Sequence, residues 1–508
     1  MDANVDAPRS SGVVLGLVTA AVAIGAAQVA AAFVDPQASP IVAVGHAVID
    51  ATPGWLERRA IRTFGSADKL VLVAGIALIL GVAAAALGIV AMRRVWIGVA
   101  GLAALTTIGI AAAAGRPASE PVDAVPAVVG GLAGAATLLG LREIHPRDGR
   151  SVADPRDPGR RRFLALGMVG GVAAAFAGGI ATVLADRSRA DASRAAVRIP
   201  RPASRAAPVP GADLGVEGLG PFHTPNDVFY RIDTALLVPS LEADAWRLRV
   251  HGAVDRELVL TYADLLARPL IERDITLACV SNPVGGPYVG NARWIGAPLR
   301  DLLEEAGVRP GADQLVSRSS DGFTIGTPTA VVTDGRDAIL AVAMNGEPLP
   351  VAHGFPVRMV VPGLYGYVSA TKWVVDLELT TFDAYDAYWV RRGWAERAPV
   401  ETMARIDTPT GDVTAGVVPV AGVAWAQHRG IERVELRVDG GPWVEADLAP
   451  AGVVDAWRQW VVRWDADPGD HVLEARATDG TGAVQTEEPS PPFPDGATGY
   501  HRVTVRAA

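Results

Sequence analysis

Five stretches in the first 185 residues carry no Asp, Glu, Lys or Arg: 11–34, 70–92, 95–115, 124–141 and 163–185. About 20 apolar residues at ~1.5 Å rise per residue cross a hydrocarbon core of about 30 Å. Four of the stretches meet that length comfortably, and 124–141 sits at its short limit. All are rich in Ala and Gly, which lets helix backbones come close together in lipid. Residues 1–186 are therefore expected to form a five-span helical membrane anchor.

Arginine and lysine near helix ends set orientation. The links 93–94 and 142–162 hold nine arginines, whereas the links 35–69 and 116–123 hold five basic residues. That bias places the N-terminus in the cytoplasm, and an odd number of spans puts everything after 186 outside. The last span opens on Arg160, Arg161 and Arg162, followed by Phe163 and Leu164. This run resembles a twin-arginine export signal, the route that moves domains already folded around a cofactor. His46 and His145 fall in links and none of the eight histidines lies within a span. A membrane haem on two axial imidazoles is not expected.

After the helices the character changes. Residues 187–215, rich in Ala, Arg, Pro and Ser, read as a linker. Trp246, Leu248 and Val250 alternate with polar residues, as a half-buried strand does. Short helices ("LTYADLLARP", "GAPLRDLLEEAGV") mixed with strands ("FPVRMVVPG", "KWVVDLELTTF") give an α+β domain over 216–394. From 395 to 508 strand patterns dominate. "IERVELRVDGGPWVEADLA" reads as a hairpin around Asp439, Gly440 and Gly441, and "QWVVRWDADPGDHVLEARATDGTGAV" repeats the pattern. A small all-β sandwich is expected there. A formal charge of −9 gives no basic face for nucleic acid.

One cysteine among 508 residues excludes an internal disulfide. Cys279 lies where a strand-like run meets a Gly/Pro-rich loop, "DITLACVSNPVGGPYVGNARW". A lone cysteine can be a small buried hydrophobe. As a nucleophile it would want an adjacent activator, and none is near in sequence. One thiolate cannot hold zinc or an iron–sulfur cluster, but it suits a soft or high-valent metal already held by an organic chelator.

The motifs "TPNDVFYRIDTALLVP", "TLACVSNP", "NARWIGAPLRDLL" and "MNGEPLPVAHGFPVRMVVPGLYGYVSATKWV" resemble, in order, those of the sulfite oxidase family of molybdopterin enzymes. "GGPWVEADL" and "PSPPFPDGATGYHRVTV" resemble that family's Ig-like dimerisation domain. The resemblance spans about 221–508 and implies a molybdenum–molybdopterin cofactor with Cys279 as the single protein ligand of the metal. It implies His353, Arg358 and Lys372 as pterin-phosphate contacts, with Ser369 and Thr371 adding hydroxyls. Asn226, Phe229 and Tyr230 match the segment lying along the cofactor. Arg231 matches an arginine that faces an oxyanion substrate; the alternative is a salt bridge to Asp233 or another carboxylate.

Two departures are visible. A second arginine usual after the cysteine is replaced by Asn282, Pro283 and Val284, and an active-site tyrosine before the "MNG" turn is replaced by Val342. The expectation is a membrane-held molybdenum oxidoreductase outside the cytoplasmic membrane, moving oxygen to or from a small sulfur or nitrogen compound. Its electrons would pass through a cytochrome or a quinone-linked carrier, and the sandwich would make a homodimer. The competing readings are a reductase of sulfoxides or N-oxides, a membrane-anchored binding protein that has lost catalysis, and a cysteine-dependent hydrolase.

Overall fold

The computed structural model describes residues 9–53, 56, 59, 63, 68–116, 119–144 and 189–508. The expected fifth span, 163–185, and the arginine run before it lie outside the described residues. The chain divides into two compact units, one of Met1–Ala190 with Ala235–Ser240 and one of Asp191–Thr234 with Leu241–Ala508.

The first unit is helical: α1 (Arg9–Phe33), α2 (Pro40–Ala51), α3 (Asp68–Arg93), α4 (Val95–Ala114) and α5 (Val125–Ile144). Four segments are long and apolar enough to cross a membrane: Ser11–Phe33, Ala74–Arg93, Val95–Ala114 and Pro121–Arg142. Close backbone approach holds α1 to α3. A Cβ on Gly16 would come 1.9 Å from Ala84 O, and one on Gly88 would come 2.2 Å from Gly12 O. Only glycine fits at such a crossing. Helix α2 lies inside what composition reads as a link. Pro40 starts it, and twelve residues make it too short to span a bilayer. His46 therefore sits on a helix.

The second unit holds four sheets. The strands are β1 (Arg247–Gly252), β2 (Leu258–Thr261), β3 (Ile271–Ala278), β4 (Val289–Pro298), β5 (Gln314–Ser319), β6 (Thr324–Pro328), β7 (Ile339–Met344), β8 (Glu347–Pro348), β9 (Arg358–Val360) and β10 (Val374–Thr380). Short helices α6 (Tyr262–Leu266), α7 (Leu299–Ala306) and α8 (Thr329–Thr333) lie among them. One sheet runs β2-β1-β10-β5-β6, with β1 and β10 parallel; the other runs β3-β4-β7-β8, with β9 added on β7. Trp246, Leu248 and Val250 face inward as their alternation predicts, and join Trp294, Phe355 and Leu377 in one core.

The remaining strands are β11 (Met403–Thr408), β12 (Gly416–Trp425), β13 (Ile431–Val438), β14 (Val444–Glu445), β15 (Asp447–Leu448), β16 (Arg458–Ala466), β17 (Gly469–Asp479) and β18 (His501–Ala507). They form two four-stranded antiparallel sheets, β11-β12-β16-β15 and β14-β13-β17-β18. Ile406, Val420 and Trp460 of one meet Val434, Leu473 and Val505 of the other. The hairpin at Asp439 and Gly440 forms, with both residues at positive φ (51° and 69°), as a tight hairpin turn requires. The second expected hairpin does not form. Strand β16 pairs with β12 and β15, while β17 pairs with β13 and β18, so Asp467 and Pro468 carry the chain from one sheet to the other.

Residues 191–215, which composition reads as a tether, run along the second unit. Ala203 N donates to Leu270 O at 2.8 Å, Glu272 N to Ser204 O at 2.8 Å, and Leu214 N to Gln459 Oε1 at 2.7 Å. Backbone groups at the margin of β3 supply partners that composition cannot reveal.

Candidate functional site

Strand β3 is buried through its last five residues and delivers Cys279 to its end. The turn there is fixed by Asn282, whose N–H donates to Cys279 O at 3.1 Å and whose Oδ1 accepts from Tyr288 N at 2.8 Å. The half-buried Cys279 Sγ lies 2.9 Å from Ser281 Oγ. Burial pushes the thiol up; the Ser281 hydrogen bonds oppose this without reversing it. A thiolate here needs a cation or a metal beside it.

The segment 226–233 packs alongside. Phe229 is buried against Trp294 (6.0 Å, edge-on) and His353 (5.7 Å, edge-on), and stacks on Tyr230 at 5.3 Å. Glycine at 290 makes room for it, since a Cβ there would come 2.8 Å from the Phe229 ring. Burial raises the Tyr230 hydroxyl; the Cys279 charge adds to that and Arg358 opposes it, so Tyr230 lies within electrostatic reach of both. Asn226 is committed to the β7–β8 turn, donating to Glu347 Oε1 at 2.6 Å and accepting from Asn345 Nδ2 at 2.9 Å.

His353 ends a 3-10 turn, with Nε2 3.0 Å from Asn226 O. Burial and the Arg358 charge hold its imidazole down at about 4, so it is neutral at pH 7. Gly354 follows at φ 112°, where a Cβ would come 3.1 Å from Arg358 Cβ and 3.2 Å from Lys372 Cα. That position brings the two cations together. Arg358 is 7 % exposed; its guanidinium lies 5.3 Å from the Trp294 ring, and its Nε has no hydrogen-bond partner among the described residues. Burial pushes Arg358 down to about 10. Lys372 is 8 % exposed and donates to Asp233 Oδ2 at 2.7 Å; burial lowers it to about 8 against the pull of that carboxylate.

Arg231 is more exposed and is tied to Asp233, with Nε 2.7 Å from Oδ2. The hydroxyls of two other expected contacts are spent inside the fold. Ser369 Oγ donates to Leu364 O and Tyr365 O at 3.0 and 2.9 Å, and Thr371 Oγ1 meets Ser317 Oγ at 2.5 Å. Val342 is fully buried in the core.

Comparison with known proteins follows the same residues. Residues 235–389 match the oxidoreductase molybdopterin binding domain. The chain is 31 % identical over 321 residues to sulfite oxidase of Gallus gallus, covering 53 % of this chain and 69 % of that one. The chain belongs to the sulfite oxidase family.

Mitochondrial sulfite oxidase of Mus musculus is 30 % identical, and the match spans only 60 % of its length. The uncharacterised oxidoreductase YuiH of Bacillus subtilis is 34 % identical over 152 residues, 30 % of this chain and 73 % of that one. Among solved structures, the sulfane dehydrogenase SoxCD from Paracoccus pantotrophus aligns at 25 % identity over 56 % of this chain and 83 % of that one, with a TM-score of 0.49. As a member of this family the chain is a molybdenum-dependent oxidoreductase whose cofactor is molybdopterin.

The residues fit that cofactor. A buried guanidinium with an unused N–H wants an anion, and Arg358 and Lys372 converge around Gly354, with the His353 ring beside them. Among the described residues no three His, Cys, Asp or Glu side chains converge on one point, as suits a metal held by pterin sulfur and one thiolate. Cys279 would hold the metal, and Arg358, Lys372 and His353 the phosphate end. Bound there, the cofactor supplies two-electron oxygen-atom transfer; the protein supplies orientation and charge. Sequence reasoning passed over Asp233 as a shared counter-charge, Ser281 as the thiol's partner and Trp294 as the platform under Arg358. Asp233 and Ser281 carried a signal, the first as a carboxylate two residues past Arg231 and the second standing two residues past the cysteine.

Proposed function

We propose that this chain is a membrane-held molybdopterin oxidoreductase with its catalytic unit outside the cytoplasm. It moves one oxygen atom to or from a small sulfur or nitrogen compound. The observation that carries this reading is the lone Cys279 thiol at the end of β3, sharing the neighbourhood of Tyr230 with a buried and unsatisfied Arg358. The arginine bias of the helix links and the run Arg160–Arg162 support the outer location. The C-terminal sandwich is read as an Ig-like domain that pairs two copies. A cytochrome or a quinone-linked carrier exchanges the electrons.

Sulfite is the first substrate to test, since the Gallus gallus and Mus musculus relatives bear that name. A second reading is a reductase of neutral sulfoxides or N-oxides. It is favoured by the Arg231–Asp233 pair, which removes most of the positive charge an anion would meet, and by the absence of a hydroxyl at Val342. The test is molybdenum and pterin content of the purified full chain, with turnover measured on sulfite, sulfoxides and N-oxides. About one molybdenum per chain with turnover of one class is expected. Metal-free protein from a host that makes the cofactor would overturn the proposal.

A further inference from the structure

The helical unit contains a cavity of about 180 Å³. Its wall is mostly aliphatic, with Ala23 and Ala27 of α1, Ile76 and Leu80 of α3, and Leu102 of α4. Ala- and Gly-rich helices can close such a gap by sliding together, as α1 and α3 do at Gly16 and Gly88. Here the space persists, and Thr19, Gln28 and Ser39 are among the residues that line it.

Ser39 lines the cavity, is fully buried, and its Oγ has no partner among the described residues. It stands at the N-cap of α2, where serine ordinarily accepts from the helix backbone, yet it makes no such bond. Thr19 repeats the pattern on α1: on the same wall, 6 % exposed, with Oγ1 unpartnered among the described residues. Thr106, Thr107 and Thr137 behave as helix threonines usually do in apolar surroundings, each donating to the carbonyl four residues earlier. Gln28 adds an amide to the wall. Thr19 and Gln28 are about 13 Å apart along α1, so the site is elongated.

Among the described residues the wall has no Lys, Arg, His, Asp or Glu. A phospholipid headgroup would find nothing to neutralise its phosphate, and an acyl chain offers Ser39 no acceptor. The matching ligand is long, apolar and uncharged, with a carbonyl at its head. In a membrane-held oxidoreductase, the reading this inference rests on, that description fits an isoprenoid quinone. We propose that the cavity of the helical unit binds a membrane quinone, a ring carbonyl accepting from Ser39 with Gln28 beside it, and the isoprenoid tail lying along Leu80.

The test uses the full-length holoprotein in detergent and a photoreactive azidoquinone. Label is expected on peptides of α1 and α2, competed by a short-tail menaquinone or ubiquinone analogue and not by phosphatidylglycerol. Ser39→Ala should weaken binding about fivefold, the size of one hydrogen bond. Leu80→Trp, which fills the cavity, should weaken it at least tenfold. Turnover at the molybdenum site with a soluble dye should be unchanged in both variants. Equal competition by phosphatidylglycerol would mark a groove for lipid tails and overturn the proposal, as would labelling that ignores both substitutions. Loss of dye turnover in the unaltered protein would count against the function proposed above and leave the quinone result standing by itself.

Discussion

Lys372 Nζ and Arg231 Nε both donate to one oxygen, Asp233 Oδ2, each at 2.7 Å. One carboxylate thus screens the buried cation expected at the pterin and the exposed cation expected at the substrate. Asp233→Asn keeps the shape and removes the charge. If an anion is the substrate, freeing Arg231 should lower the KM for sulfite roughly fivefold, the size of an exposed ion pair of about 1 kcal/mol. The gain should shrink at high salt, and the KM for a neutral sulfoxide should move less than about twofold. Steady-state kinetics at two ionic strengths decide it; an unmoved sulfite KM would mean that Arg231 does not face the substrate.

Arg358 makes a second prediction, in which stability and function move in opposite directions. Its charge is buried, its Nε is unpaired among the described residues, and its remaining bond, Nη1 to His353 O, is long at 3.5 Å. Replacing a poorly compensated buried cation with an apolar side chain of similar volume is often stabilising, by about 1–4 kcal/mol. Arg358→Met should therefore raise the Tm of protein made without cofactor, less whatever is lost with the Trp294 stacking. The same change should abolish retention of the pterin, because the anion loses its fork of donors. Calorimetry of the apoprotein and pterin analysis of the holoprotein check the two halves separately.

The long apolar helices were legible because an uncharged run of that length leaves few other structures, and four of the five runs coincide with helices long enough to cross a membrane. Helix α2 was not legible: twelve residues at Pro40–Ala51 fall short of a span, and nothing in the run separates a helix from a link. Strand periodicity gave β1 its inward face, but period two says nothing about partners, so β16 and β17 read as a hairpin and stand in different sheets. At the site the ordered motifs brought Cys279, Tyr230, His353, Arg358 and Lys372 into one reading, and the fold gathers them. Ser369 and Thr371 lie in the same motif, yet their hydroxyls turn to Leu364 O, Tyr365 O and Ser317. Spacing fixes where a residue sits on the chain; side-chain direction depends on neighbours such as Ser317, 54 positions before Thr371.

Cys279→Ser tests the centre of the functional reading. Serine keeps the volume and can still bond Ser281, so far-UV circular dichroism and Tm should stay close to those of the parent. An alcohol is a far weaker donor to a soft metal than a thiolate, and its proton is much harder to remove. Turnover should fall at least about a thousandfold, the scale on which loss of an essential group acts. Retained turnover at the parent rate would remove Cys279 from the chemistry.

His353 gives a prediction with a sign. Burial first, and then the Arg358 charge, lower its imidazole from an ordinary value of 6.5 to about 4 in the folded apoprotein. Between those values the unfolded chain takes a proton that the folded chain refuses. Stability from the neutral imidazole is thus fully present above about pH 6.5 and falls as pH drops toward 4, by up to about 1.4 kcal/mol per pH unit. His353→Gln removes the titration and keeps a donor for Asn226 O. Urea unfolding of cofactor-free protein at pH 7.0, 5.5 and 4.5 should show the parent losing more stability than the variant across that window. Loading the cofactor should shrink the difference, because a phosphate near the imidazole favours its protonated form. Parallel pH profiles for parent and variant would mean that His353 is not held neutral by its surroundings, and that its imidazole carries no protonation penalty for a phosphate to relieve.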